Sequence, residues 1–147
     1  TLFRNDSGSR LVDITQASGL LLKDWTTAAA WADVNRDGWS DVLIVSYLDW
    51  SPDRDVECRD SRSQTRDVCP PQRFPPARQR LFINNQKGAF TEAHQPLKGS
   101  GLGKSLGCVA LDLNSDGWID FYVANDQVDN QLYLGGPELP MNEVGRI

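Results

Sequence analysis

One nine-residue stretch occurs twice and constrains this chain more than any other feature. Asp33–Asp41 reads DVNRDGWSD, and Asp112–Asp120 reads DLNSDGWID. Six positions are identical: Asp at one, Asn at three, Asp-Gly-Trp at five to seven, and Asp at nine. Apolar runs of strand length flank both copies. Ala28–Ala32 leads into the first and Val42-Leu43-Ile44-Val45 leaves it. Gly107–Leu111 leads into the second and Ile119–Ala124 leaves it. The outgoing runs are β-branched and aromatic, so each unit reads as strand, loop, strand. Three consecutive alanines would suit a helix. The run is too short for one, and small side chains in a buried strand let a neighbouring sheet come close.

The loop chemistry points to a hard cation. Ca²⁺ takes six to eight oxygen ligands, and glycine permits the sharp turn that gathers them. The side-chain ligands would be Asp33, Asn35, Asp37 and Asp41 in the first copy, and Asp112, Asn114, Asp116 and Asp120 in the second. The seventh-position backbone carbonyls belong to Trp39 and Trp118, whose rings either stack on a ligand at an exposed face or, the favoured reading, pack between structural units. Only the start resembles an EF-hand, because position twelve is Ile44 or Val123 instead of a bidentate Glu. The rival reading is a tight turn built from Asx side chains alone. Repetition of all four ligand positions and the glycine favours two Ca²⁺ sites.

Charge limits the function classes. The net charge is −5, and six of the twenty acidic residues lie in the two loops. Two calcium ions would offset much of that excess, and the balance argues against a nucleic-acid partner. No run of eighteen apolar residues exists to span a membrane. No signal peptide is visible, and the first residue is Thr1, so an excerpt or a processed product is expected.

The loops belong to a longer internal repeat. Leu2–Asp6 and Leu11–Thr15 read as strands and recur as Arg80–Asn85 and Gly88–Ala93; Gln131–Gly136 begins the pattern again. Leu2 and Leu81 are 79 positions apart, as are Asp33 and Asp112, whereas Leu81 and Leu132 are 51 apart. The unit is therefore about 51 residues, and one copy carries an insertion of about 28. The fold class implied is all-β, with propeller-type blades of four antiparallel strands and calcium loops between strands. Residues 1–147 would form one repeat region of about two blades, part of a larger or assembled propeller. Unpaired blade edges would favour self-association.

The insertion, residues 49–78, holds five of the eight prolines and two of the three cysteines. It has no periodicity and reads as an irregular surface excursion. Its arginines interleave with Asp53, Asp55, Glu57, Asp60 and Asp67, which suggests internal pairing on a solvated loop. Cys58 and Cys69 enclose ten residues where no core can hold the chain, so a disulfide is expected, and with it an oxidising compartment. Zinc is the rival, but no His lies near. Cys108 sits among small residues and reads as a buried apolar side chain. His94 lacks a nucleophilic partner and reads as a surface residue. Trp25, Trp31 and Trp50 belong to no motif.

LFRNDSG, DIT, WADVNRDGWSDVLIV and RLFINNQKGAFTEA together resemble the FG-GAP/VCBS repeat, closest to ASPIC/UnbV or cartilage-acidic-protein-like secreted proteins. The resemblance covers nearly the whole chain. It implies β-propeller blades with structural calcium, located extracellularly, in the periplasm or at the cell surface. It also implies recognition or adhesion toward a protein or glycan. The competing class is part of a secreted enzyme with its active site elsewhere in the parent chain, and a third is a structural spacer.

Overall fold

A computed structural model describes residues 1–146. The chain is all-β, and every strand pair is antiparallel. A hairpin comes first, β1 (Phe3–Asp6) and β2 (Arg10–Asp13). The first four-stranded sheet follows: β3 (Thr26–Ala32), β4 (Asp41–Ser46), β8 (Arg80–Asn84) and β9 (Phe90–Glu92), paired in that order. The second has the same meander: β11 (Ser105–Leu111), β12 (Asp120–Asn125), β13 (Gln131–Leu134) and β14 (Asn142–Arg146). Neither sheet closes on itself.

The repeat is visible in the register. Val42 stands opposite Phe82, and Phe121 stands opposite Tyr133. Alternation along the strands puts Leu43, Val45 and Leu81 on the back of the first sheet. They meet Phe121, Val123 and Tyr133 on the front of the second, with Leu97 and Met141 filling the same core. Ala30 is buried and Ala28 and Ala32 partly so, facing β11 as the small-residue run implied. Ala29 and Trp31 point the other way and are exposed. A smaller cluster of Leu20, Val42 and Phe82 covers the front of the first sheet, joined by Leu2, Leu22, Ile44 and Phe90.

The insertion is not wholly irregular: it holds 3-10 turns at Pro52–Arg54 and Pro71–Arg73, a small hairpin of β5 (Cys58–Arg59) and β6 (Arg66–Asp67), and β7 (Ala77–Arg78), which pairs with β10 (Leu102–Gly103). Asn142–Arg146 closes the second sheet as its fourth strand. Among the described residues, no helix is long and apolar enough to cross a membrane.

Candidate functional site

Both nine-residue loops turn between the first two strands of a sheet, at β3–β4 and β11–β12. Their internal wiring is the same. The Asp33 carboxylate accepts the N–H groups of Asp37 and Gly38 at 3.0 and 2.8 Å, and Asp112 accepts those of Asp116 and Gly117 at 3.2 and 2.8 Å. Asn35 and Asn114 each accept the same fifth-position N–H at 3.0 Å. Asp37 and Asp116 each accept the seventh-position N–H, from Trp39 and Trp118, at 2.9 and 2.8 Å. Gly38 and Gly117 have φ of +87° and +84°, which only glycine adopts freely. Position four is also left-handed, with Arg36 at +59° and Ser115 at +62°.

Position nine behaves differently. Asp41 and Asp120 are fully buried. Asp41 accepts the N–H of Val34 at 3.0 Å with one oxygen and that of Asn84, on the third strand, at 2.9 Å with the other. Asp120 does the same for Leu113 and Gly135, both at 2.8 Å. Each is a staple joining the loop to its sheet. Burial pushes the Asp41 carboxyl above the usual carboxylate range, and repulsion from Asp37 and Asp33 adds to this, while its two backbone donors oppose it. Asp37 and Asp116 are exposed and held below that range, first by the tryptophan N–H each accepts.

The donor set is oxygen-only, so its chemistry suits a hard cation such as Ca²⁺. Asp33 and Asn35 converge on the Asp37 N–H while Asp37 accepts the Trp39 N–H, and Asp112, Asn114 and Asp116 repeat the arrangement. In this conformation the loop oxygens face the loop's own amides. Among the described residues, no group of three His, Cys, Asp or Glu gathers closely enough to hold a metal ion. Asp41 and Asp120 belong with the sheet more than with the loop's open side.

The two loops are neighbours. The Arg36 guanidinium lies 3.8 Å over the Trp118 ring and helps to depress the Asp116 carboxyl. Trp118 is half-buried beneath it, whereas Trp39 is 48% exposed. Of the two rings expected to pack between units, Trp118 lies against Arg36 of the other loop, and Trp39 is left exposed.

At the opposite end of β3 and β4 lies a groove of about 1070 Å³ that the sequence reading missed. Trp25, Tyr47 and Trp50 form its inner wall, and Val56, Val68 and Phe74 of the insertion face them. The Trp25 and Tyr47 rings meet edge-on with centroids 5.5 Å apart, and Trp25 and Trp50 are 5.8 Å apart. Trp50 donates its indole N–H to Asp55 at 2.9 Å, and Arg66 pairs with the same carboxylate at 3.1 Å. The Cys58–Cys69 disulfide closes the insertion, with Cα atoms 5.2 Å apart. Lys104 clamps the insertion to the body through the Pro71 carbonyl at 2.7 Å. Arg54 pairs with Asp49 at 2.6 Å and Arg59 with Glu57, so the insertion's charges do offset one another.

The two remaining reactive side chains stand apart from both places. Cys108 is half-buried on β11, and burial raises its thiol to about 11. His94 is exposed just past β9. No model of a known protein family matches the chain, and no curated protein matches it.

Proposed function

We propose that the chain is a calcium-binding β-repeat module of FG-GAP/VCBS type that serves extracellular or periplasmic recognition of a protein or glycan. The two four-stranded sheets are its propeller-type blades, and calcium is structural. The observation that carries this reading is the duplicated loop. Two stretches 79 residues apart share ligand residues, left-handed positions and hydrogen-bond wiring down to the atom. A turn alone needs only one or two Asx residues. Retention of carboxylates at one, five and nine is an electrostatic burden that a divalent cation relieves. Asp33, Asn35 and Asp37 would hold one ion, with the Trp39 carbonyl and water. Asp112, Asn114 and Asp116 would hold the other with the Trp118 carbonyl, and Asp41 and Asp120 would steady the loops from behind.

The aromatic groove supports recognition. Ligand sites are concave and mostly apolar, with a few polar groups, and loops on a rigid scaffold commonly carry binding. The disulfide favours an oxidising compartment. Calcium titration by calorimetry after chelator treatment, with a melt at each end, tests the reading. Two sites and a higher melting temperature are expected, since a ligand that binds only the folded state stabilises it. Asp37→Ala and Asp116→Ala should each remove one site. Absence of calcium binding would leave the loops as turns and withdraw the proposal.

A further inference from the structure

The groove between the far end of β3 and β4 and the insertion has a shape and a donor–acceptor balance that narrow what can fill it. Its aromatic rings meet edge-on: Trp25 stands at 88° to Tyr47 and at 66° to Trp50. Rings set at such angles form notches, not one flat plate. Trp25 is 47% exposed, and Val68 on the facing wall is 89% exposed. Apolar area is therefore open on both walls, and a ligand that covers it gains from its burial.

The polar groups are unevenly engaged. Tyr47 donates its hydroxyl to Asp126, and Trp50 donates its indole N–H to Asp55. Asp24 is held by Arg80 at 2.8 Å and Asp55 by Arg66 at 3.1 Å. Two donors at the groove stay open: the Trp25 indole N–H and the Lys23 ammonium make no hydrogen bond among the described residues. The Asp67 carboxylate accepts the Val68 N–H at 2.7 Å and joins no ion pair among the described residues. A sugar chain brings many hydroxyl donors, and an ordinary peptide brings one N–H per residue. Here Asp24 and Asp55 are already taken, and a donor buried without a partner is costly. A run of prolines brings carbonyls and no N–H. Its polyproline II helix is extended beforehand and has no internal hydrogen bonds to break, and aromatic-lined grooves are where such segments dock. Asp67, on a chain of net charge −5, favours a basic neighbour to the prolines over an acidic one.

We propose that the groove is a docking site for a proline-rich peptide segment with a basic residue at one end, supplied by another protein. The pyrrolidine rings sit in the notches between Trp25, Tyr47 and Trp50, with Val68 and Phe74 against their other side. Trp25 and Lys23 donate to the segment's carbonyls, and Asp67 pairs with the basic residue. The proline-rich stretch of this chain, residues 70–76, is not the occupant, because it builds the groove. Pro71 and Phe74 line it, and Lys104 clamps the Pro71 carbonyl at 2.7 Å. The inference deepens the recognition reading above and rests on it, but does not depend on calcium.

Titrating the chain with a synthetic oligoproline ending in arginine, followed by tryptophan fluorescence and calorimetry, tests this. Saturable binding of one peptide per chain is expected. Trp25→Ala should weaken it about ten-fold or more. Val68→Ser, at an exposed side chain whose loss leaves the core intact, should weaken it several-fold. Asp67→Asn should weaken it by up to about five-fold, and that loss should vanish for the same peptide ending in glutamine. Trp31→Ala, on the same strand and also 47% exposed but outside the groove, should bind as wild type does. Failure of the oligoproline to bind would overturn the proposal, as would binding that neither Trp25→Ala nor Val68→Ser weakens. A soluble cello-oligosaccharide is titrated alongside. Its binding in place of the oligoproline would overturn the proline assignment and leave the recognition reading standing. The calcium titration decides the rest of that reading separately.

Discussion

Asp41→Ala, measured in chelator, separates the two jobs that the loop carboxylates do. The wild-type side chain is fully buried and receives two backbone N–H groups, from Val34 and Asn84. The alanine variant strands both donors. A buried donor left without a partner costs roughly 1–3 kcal/mol, so the pair costs about 2–6 kcal/mol. A domain is stabilised by only about 5–15 kcal/mol in all. At about 3 °C per kcal/mol for a chain of this size, the melting temperature should fall by roughly 6–18 °C. The lower end is favoured to the extent that removing Asp41 also relieves its repulsion with Asp37 and Asp33.

The assay is a pair of thermal melts, with Asp37→Ala as the comparison. Asp37 lies on the exposed side of the loop and accepts bonds from Trp39, Asn35 and Gln86. Without calcium its loss should shift the melt far less than loss of Asp41. With calcium added, Asp37→Ala should forfeit the stabilisation due to one ion. An Asp41→Ala melt within about 2 °C of wild type in chelator would refute the staple argument, because two stranded buried donors cannot be that cheap.

Other consequences follow from particular contacts. Tyr47 donates its hydroxyl to Asp126 at 2.6 Å, which raises its ionisation to about 12. Because the folded value exceeds the unfolded one, the stability from this contact is complete below about pH 10 and is lost as pH rises toward 12. Alkaline difference spectra should show a late-titrating tyrosine that Asp126→Asn returns toward the ordinary range. Reducing Cys58–Cys69 should cost about 3 kcal/mol in the loop-entropy account, read as a lower melting temperature. Arg36→Gln removes a cation from beside the second loop. Exposed charge pairs are worth about 0.2–1 kcal/mol, so calcium should bind there up to about five-fold more tightly, with the first loop changed less.

The loops and strands were legible because each rests on local chemistry. Asp-Asn-Asp-Gly demands a tight turn, and β-branched runs on either side demand strands. β14 was not legible: Asn-Glu-Val-Gly-Arg has no apolar alternation, and it is the pairing with β13, from Leu134–Asn142 to Gln131–Arg146, that makes it a strand. The groove was hidden for a related reason, since its walls come from both sides of the loop and from the insertion. One signal was available. Trp25 precedes the apolar run that enters the first loop and Tyr47 follows the run that leaves it; a bulge between Thr26 and Ala28 brings them together, and the Tyr47 N–H donates to the Trp25 carbonyl at 2.9 Å. Aromatics just outside both runs of a strand pair mark its far end.

Position nine was read as an oxygen ligand and not as a staple, and the reason lies in what periodicity can say. The motif counts oxygens along the chain, whereas the staple is defined by a donor at the end of the third strand, 43 residues away at Asn84 and 15 away at Gly135, the residue just after β13. The insertion lengthens the first connection without disturbing the bond, so the carboxylate recognises a place in the sheet, not a distance in sequence. That is why the identity of the third-strand residue can change from Asn to Gly while the Asp stays. The backbone N–H is the partner, and every residue except proline has one. The prediction this carries is specific. Gly135→Pro should break the second staple as Asp120→Ala does, and the double change should be far from additive, because both remove the same bond. Additive losses in melts of the three variants would mean that the two residues stabilise the sheet independently. Proline's rigid ring and the 2.3 Å approach of a Gly135 Cβ to the Ile119 carbonyl would add strain of their own. Gly135→Ala, which keeps the N–H, therefore supplies the baseline for that strain.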